Sequence, residues 1–216
     1  MATDRLPPPP AYERPLVDPG LHVIEPGATL YRVFVSRSDR GPLDWNYDVA
    51  PIASGGRFDP TPGDRYPYLY GALDRTAAIV GTLRSLAAES PSGARVIART
   101  EISTRAIQRF RVTQPVALLS LLSEADRARA NAPATINVDR DRPSTRAWGN
   151  YFRQVTEPGI SGIAYESAVL SDSAAGVSFV LWGDRLGDQV LEPLGRPEPI
   201  EGGPVAALEI LRATLE

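Results

Sequence analysis

Several residue types on which enzymes rely are missing from this sequence or nearly so. The 216 residues contain no cysteine, which excludes disulfides, thiolate metal sites and a cysteine nucleophile. The single histidine, His22, lies in a proline-rich segment, so a Ser-His-Asp triad or a multi-histidine metal site has almost no material. No lysine occurs, which excludes Schiff-base chemistry on a lysine. A GC-rich coding sequence explains this bias more simply than a functional demand for guanidinium groups, yet any bound anion must contact these planar groups.

The charge and hydropathy of the chain argue against nucleic-acid and membrane partners. The net charge is −3 and the isoelectric point is near 5.3, which is unlike a nucleic-acid-binding surface. No apolar run approaches the roughly 18 residues that cross a bilayer, and the amino terminus lacks the basic and then apolar pattern of a secretion signal. We therefore expect a soluble, cytoplasmic protein with no metal, no membrane contact and no direct nucleic-acid partner.

Proline spacing predicts an arm followed by one domain. Residues 1–27 contain the run Pro7 to Pro10 and further prolines, which favour extended or polyproline conformation. We predict a flexible arm over 1–27. The chain is 43% apolar, which is enough to bury one core, so residues 28–216 are expected to form a single domain.

The apolar patterns in this domain predict a mixed α+β fold, with a mixed-sheet core and flanking helices. The predicted strands are 28–35, 68–73, 94–102, 107–112, 116–122, 162–167 and 176–182. The predicted helices are 75–89 with Asp74 as N-cap, a short helix from Ser123, 144–155 with Ser144 as cap, and an amphipathic helix over 203–216. Aromatic residues of the third helix (Trp148, Tyr151 and Phe152) are typical of a core rather than an interface.

A long irregular segment, "DWNYDVAPIASGGRFDPTPGDRYP" (44–67), is typical of a functional loop. Its Arg57 follows Gly55 and Gly56, whose backbone N–H groups can approach an anion while the guanidinium binds the anion's oxygens. By itself, Arg57 is more simply explained as a surface charge or as part of a structural ion pair. Tyr68 and Tyr70 point to the same side of their strand, either as core aromatics or as a stacking surface for a planar ring.

An ordered series of short motifs between about residues 30 and 186 resembles the RES-domain family, which comprises bacterial toxins of toxin–antitoxin pairs. The motifs are "LYRVF", "GGRFDP", "YLYGALDRTAAIVGTL", "TRAW", "GIAYES", and "VSFVLW" followed by "DR". The resemblance implies an ADP-ribosyltransferase-like fold that consumes NAD as glycohydrolase, phosphorylase or ADP-ribosyltransferase. It also implies an Xre-like antitoxin as partner.

The same resemblance implies roles for individual residues. Arg32 and Arg57 would hold the phosphates or ribose of NAD, Tyr70 would pack on the nicotinamide side, and Ser167 would support the site. The family has a glutamate on the helix after the tyrosine strand. In this chain that position, eleven residues after Tyr70, is Gly81.

A glycine at the acidic position places catalysis in question. Cleavage of the nicotinamide–ribose bond generates positive charge on the sugar, which a carboxylate stabilises and a glycine does not. Glu166 is expected to face away from Ser167, because neighbouring strand residues alternate, and Asp74 is expected to cap the helix. Gly81 can therefore indicate a weakened natural relative, a substitution that spares the host, or a different alignment of the motif.

Two hypotheses follow from the sequence. The first is an NAD-degrading toxin-like protein whose catalytic residues are Arg57, Tyr70 and Ser167 and whose activity Gly81 weakens. The alternative is a non-enzymatic module that binds a nucleotide or a partner protein on the same fold. A secreted effector has only the proline-rich start in its favour.

Overall fold

The computed structural model describes residues 6–12, 14–36, 41–51, 55–89, 95–167, 170, 176–187, 189–200 and 205–215. The first residues of the predicted arm, most of 168–175, and residues 94, 203, 204 and 216 of predicted elements lie outside this set. Within it, no helix has the length and apolar character that crossing a membrane requires.

The described residues form a mixed α+β fold, as predicted, and their strands form one large and one small sheet. The strands are β1 (Leu21–Ile24), β2 (Thr29–Val35), β3 (Tyr68–Ala72), β4 (Ala88–Glu89), β5 (Arg95–Ile97), β6 (Arg105–Val112), β7 (Val116–Leu121), β8 (Gly162–Glu166), β9 (Val177–Trp182), β10 (Leu191–Pro199) and β11 (Ala213–Leu215). The helices are α1 (Arg75–Leu86), α2 (Arg99–Ser103), α3 (Glu124–Arg129), α4 (Arg142–Val155) and α5 (Val205–Leu211).

In the described part of the chain the large sheet has eight strands in the order β1-β7-β8-β9-β3-β2-β6-β10. Its β7 and β8 are parallel, and its other neighbours are antiparallel. The small sheet has the order β11-β5-β4. Long separations between paired strands bring residues that are distant in sequence to the centre of the large sheet.

Both faces of the large sheet are covered, because side chains alternate along each strand. Tyr68 and Val180 belong to the core beneath α4, whereas their neighbours Leu69 and Leu181 belong to a second apolar cluster. A third cluster joins α1 and α5 to the sheet. The aromatic residues of α4 lie in the core as predicted, with Trp148 2%, Tyr151 8% and Phe152 0% exposed.

The predicted cap Asp74 and the predicted start of a short helix near Ser123 are both confirmed by hydrogen bonds. Asp74 Oδ1 accepts hydrogen bonds from the backbone N–H groups of Thr76 and Ala77, at 2.8 and 3.1 Å. Ser123 caps α3 and forms a capping box with Asp126. These side chains bind N–H groups that lack a partner within the first helical turn.

The prediction of one strand over 94–102 was wrong, because the described part forms β5 and then α2. Ile97 and Ile102 are both buried, at 0% and 3% exposure. Both side chains belong to the same apolar cluster, whereas residues five apart on a strand point to opposite faces, so packing both into one cluster requires the chain to leave the strand between them. Glu101 and Arg105 then form an ion pair across one helical turn.

The predicted cap of α4 and the predicted last helix also differ from the structure. Asp141 is the N-cap of α4, with Pro143 in the first turn, and the Ser144 hydroxyl donates a hydrogen bond to Asp141 Oδ2 at 2.6 Å. The C-terminal segment forms only the short α5, followed by β11. Arg212 has a φ of +50°, which a continuing helix does not permit, so the helix ends before this residue.

Two strands were not predicted because prolines lie in or beside them. β10 contains Pro193, Pro197 and Pro199, which edge strands tolerate, and among the described strands it pairs with β6 alone. Its register shifts between Leu194 and Glu198, where Gly195 has a φ of +73°.

β1 lies inside the segment assigned to the arm and forms the other edge of the sheet, paired with β7. Earlier in the same segment, Leu6 is 5% exposed, and Trp148 Nε1 donates a hydrogen bond to the carbonyl of Pro7 at 2.9 Å. These parts of residues 1–27 therefore pack against the domain. The boundary at residue 28 stays a prediction.

Candidate functional site

The predicted site residues lie on the walls of one cleft, which we call the arginine cleft. It has a volume of about 590 Å³, and Arg32, Arg57, Tyr70, Gly81 and Ser167 all line it. They come from β2, the long loop, β3, α1 and the end of β8. The strands β8, β9, β3 and β2 are consecutive neighbours in the large sheet, so the cleft extends across four adjacent strands. The volume lies within the range of about 300–1,000 Å³ that is typical of small-molecule sites.

Arg32 is 6% exposed and contacts the loop that follows β2. Its two terminal nitrogens donate hydrogen bonds to the carbonyls of Pro42 and Asp44, at 2.7 and 2.9 Å. Its guanidinium therefore helps to hold residues 42–44 in place beside the cleft.

Arg57 is 8% exposed and is anchored by two backbone carbonyls far along the chain. Its Nη1 donates hydrogen bonds to Ile136 O at 2.8 Å and Asp139 O at 2.6 Å. Burial, together with repulsion from Arg142 and Arg84, lowers the pKa of Arg57 to about 10. The side chain remains charged at neutral pH, so it both fixes the 136–139 segment and contributes positive charge to the cleft.

Tyr70 has its hydroxyl buried beside the loop rather than free in the cleft. Its oxygen accepts a hydrogen bond from the Phe58 N–H at 2.8 Å, and burial raises the pKa of Tyr70 well above its ordinary value. A Cβ at Gly56 would lie 2.6 Å from this oxygen, so the close approach requires glycine. The Gly56 N–H donates to Asp59 Oδ2 at 2.8 Å, so this N–H group is not available to an external anion as the sequence had suggested.

Asp59 was not singled out in the sequence, although it follows "GGRF" directly. It lines the cleft, is 2% exposed, and its Oδ1 accepts no hydrogen bond from the described residues. Burial raises the pKa of the Asp59 carboxyl, and the hydrogen bond from Gly56 opposes this. A buried acid beside charged guanidinium groups is typical of functional sites, and its position after a glycine pair was the available signal.

Ser167 follows β8 directly, and Glu166 also lines the cleft. We expected the Glu166 side chain to face away from that of Ser167, and because Glu166 is the last residue of β8 and both residues line the cleft, this expectation stays a prediction. Ser167 is 7% exposed, and among the described residues its hydroxyl has no hydrogen-bond partner. An acidic residue and a residue with an unengaged hydroxyl therefore line this end of the cleft.

Gly81 is the seventh of the twelve residues of α1 and lies on the exposed side that borders the cleft. A Cβ built at this position has no atom within 4 Å. No close approach of neighbouring atoms therefore explains the glycine, and a side chain here would enter open space at the cleft wall.

Three further arginines line the cleft, and sequence analysis did not identify them. Arg84 lies one turn after Gly81, Arg142 begins α4, and Arg105 is the ion-pair partner of Glu101. Arg84 follows Gly81 at the three-residue spacing of one helix face, which was a signal that the sequence offered. Nothing comparable in the sequence indicated Arg142.

Arg146, the arginine of the "TRAW" motif, does not line the cleft but contacts the loop that carries Arg57. It is 0% exposed and donates hydrogen bonds to the carbonyls of Ala50 at 3.0 Å, Pro51 at 2.9 Å and Pro60. These bonds hold both ends of the segment that carries Arg57. In the described part of the chain, no group of three or more acidic or histidine side chains is placed to bind a metal ion.

Comparisons with known proteins agree with this architecture. The model of the family described as RES domain matches residues 29–200. Among curated proteins, none matched the chain. A chain of the crystal structure of the M. tuberculosis MbcT–MbcA toxin–antitoxin complex is similar in fold, with a TM-score of 0.55 and 18% identity over 87% of this chain and 91% of that chain. Since the family model spans well over half of the sequence, the chain belongs to the RES-domain family.

Proposed function

We propose that the protein is a toxin-like member of its family that binds NAD in the arginine cleft and degrades it slowly. The observation that carries this proposal is the meeting of Arg57, Tyr70, Ser167 and Gly81, which are distant in sequence, on one cleft. Positive side chains suit the diphosphate of NAD, and the neighbouring rings of Tyr68 and Tyr70 provide aromatic surface for the nicotinamide side.

The reaction breaks the bond between the nicotinamide nitrogen and the ribose. The bonding electrons leave with nicotinamide, positive charge develops on the sugar, and water, phosphate or a protein side chain then bonds to the ribose carbon. A carboxylate in the cleft would stabilise that charge or take a proton from the acceptor. Gly81 provides neither function. The acidic residues that remain in the described lining of the cleft are Asp44, Asp59 and Glu166, and we expect turnover to be slow.

Substitution of the glycine tests this proposal directly. Nicotinamide release from NAD should be followed by chromatography for the wild type, Gly81→Glu and, as the matched control, Gly81→Ala. Because a positioned acid contributes about a hundredfold to ten-thousandfold, Gly81→Glu should accelerate release by up to that factor while Gly81→Ala should not. If neither the wild type nor Gly81→Glu releases nicotinamide, NAD degradation is ruled out.

A second substitution separates catalytic from structural effects. Arg57→Ala removes two hydrogen bonds that hold the 136–139 segment, so its loss of activity or toxicity would have two explanations. Ser167→Ala removes a hydroxyl with no partner among the described residues, so stability should stay unchanged. A fall in nicotinamide release without a shift in the thermal midpoint then supports the role of Ser167, whereas unchanged release contradicts it.

The alternative function is a non-enzymatic module that binds a nucleotide or partner, and the absence of an acid at Gly81 favours it. Titration calorimetry with NAD and ADP-ribose distinguishes the two functions. A binding module takes up either ligand without releasing nicotinamide, and Gly81→Glu alone does not create turnover.

The protein partner that we propose is an Xre-like antitoxin that covers the cleft. The structure similar to this chain is a toxin–antitoxin complex, which supports a partner of this kind. Expression of the chain in bacteria, with and without the protein encoded beside it, tests the pairing. Relief of toxicity and a stable complex are expected, and growth that is unaffected by either protein argues against a toxin.

A further inference from the structure

Two arginines of the cleft lack the contacts that account for the others. In the described part of the chain, Arg57 binds two carbonyls and Arg105 pairs with Glu101, whereas the side chains of Arg84 and Arg142 have neither a hydrogen bond nor an ion pair. Both side chains are half-buried on the cleft wall. One terminal nitrogen of Arg142, Nη1, is fully buried without a partner.

Arg142 lies beside other positive charges. It is the first residue of α4, where the helix dipole presents positive charge, and the acid nearest to it in sequence is the N-cap residue Asp141 rather than a residue of the first turn. Arg57 and Arg84 lie close enough to repel it. Buried polar groups are normally hydrogen-bonded, so an unpartnered guanidinium nitrogen here has no structural explanation.

Arg84 has a conventional role that must be separated from any binding role. It lies in the last turn of α1, where a cation is favourable to the helix dipole. Yet burial, followed by repulsion from nearby arginines that include Arg140 and Arg142, lowers the pKa of Arg84. The helix dipole therefore explains why a positive residue stands at position 84. It does not explain why the Arg84 side chain lies close to other arginines.

We propose that Arg84 and Arg142 form a phosphate-binding subsite, which takes a phosphoryl group of a nucleotide at the end of the arginine cleft next to Arg57. Phosphate oxygens would supply the negative charge and the hydrogen-bond acceptors that the described residues do not give these two side chains. Two planar guanidinium groups can each bind such oxygens in a bidentate manner. The inference deepens the proposed function, because it assigns the phosphate contacts to residues other than Arg32, whose guanidinium binds loop carbonyls.

Equilibrium binding to charge-matched variants tests the subsite. The proteins are the wild type, Arg142→Gln, Arg84→Gln and the control Arg109→Gln, which removes an exposed arginine of β6 outside the cleft. The probes are ADP, pyrophosphate, inorganic phosphate and adenosine, titrated by calorimetry at low ionic strength, where charge interactions are least screened. Thermal midpoints without ligand are recorded for each protein.

We expect ADP to bind tenfold to a hundredfold more weakly to Arg142→Gln and Arg84→Gln, the loss typical of a hydrogen bond between charged groups. Adenosine should bind all four proteins alike, and Arg109→Gln should match the wild type. Binding of inorganic phosphate as tight as that of ADP would identify free phosphate as the ligand of the same subsite. Unliganded Arg142→Gln should unfold at the same temperature as the wild type or a higher one, because a repelled charge has been removed.

Two results would overturn the subsite: equal ADP binding by all four proteins, or equal losses for adenosine and ADP. If Arg142→Gln has a lowered thermal midpoint or does not fold, Arg142 supports the fold, and ADP binding by Arg84→Gln relative to the control then decides the question. Failure of the subsite and failure of the proposed function are distinguishable. If the variants lose ADP binding and no protein turns over NAD, NAD degradation is rejected and the subsite is supported. If NAD is turned over and the variants bind ADP as the wild type does, the subsite is rejected and degradation is supported.

Discussion

Replacing Gly81 with alanine should stabilise the protein, and the size of the effect follows from the helix. Gly81 lies in the middle of α1, is exposed, and has no atom within 4 Å of the position of a Cβ. Alanine in a helix interior is favoured over glycine by about 1 kcal/mol, largely because the unfolded chain has less freedom to lose. With no clash to oppose this gain, Gly81→Ala should raise the free energy of unfolding by about 1 kcal/mol.

For a chain of this size, that gain corresponds to a rise in thermal midpoint of about 2–4 °C. Circular dichroism during heating measures it, and urea titration should show a higher midpoint with an unchanged slope. Gly81→Glu should gain somewhat less from helix propensity, with a few tenths of a kcal/mol added by attraction to Arg84 three residues later.

Gly27 provides the matched control for this prediction. A Cβ there also has nothing within 4 Å, but the φ of Gly27 is +90°, which alanine adopts only with strain. Gly27→Ala should therefore destabilise the protein by about 1 kcal/mol, opposite in sign to Gly81→Ala. If Gly81→Ala lowered or left unchanged the thermal midpoint, Gly81 would not occupy an open helix position, and the argument that a glutamate fits there would be wrong.

Two other predictions concern the N-terminal segment and the buried acid of the cleft. Leu6→Ala should lower the free energy of unfolding, measured by urea titration, by about 2–3 kcal/mol, as expected for a buried leucine. The control Leu21→Ala removes a side chain that is 50% exposed and should change this free energy by less than about 1 kcal/mol. Equal effects of the two substitutions would mean that Leu6 does not pack in the core. Burial raises the pKa of Asp59 in the folded protein, so the stability that its protonation contributes is present below its ordinary pKa near 4 and is lost as pH rises through the folded value. The free energy of unfolding of Asp59→Asn relative to the wild type should therefore increase from about pH 4 towards neutrality, and a decrease over that range would contradict the raised pKa.

Local patterns in the sequence predicted much of the fold because they act over short distances. Alternating apolar residues located β2, β3 and β9, and the side chains of Asp74 and Ser123 marked the starts of α1 and α3. The order of the strands could not be read in this way, because it depends on pairings between residues far apart in the chain. β10 was not predicted for a related reason, since its prolines are tolerated only because the strand lies at an edge.

The candidate site was predicted in part for a similar reason. Arg57, Tyr70 and Ser167 stand in recognisable motifs, and the structure brings them to one cleft. Arg84 and Arg142 belong to no motif, and their importance arises only when α1 and α4 lie beside the same cleft. Glu166 was not predicted as a cleft residue, because neighbouring strand residues alternate, yet it lines the cleft together with Ser167. Positions of this kind depend on where elements end in space, which periodicity does not determine.

The composition of β10 affects how the large sheet can meet other chains. Three of its nine residues are prolines and lack an N–H group, and a bulge interrupts its pairing with β6. A peptide or a second molecule that tried to extend the sheet at this edge would find an incomplete set of hydrogen-bond donors. The prolines thus protect one border of the molecule against open-ended strand addition and, with it, against aggregation.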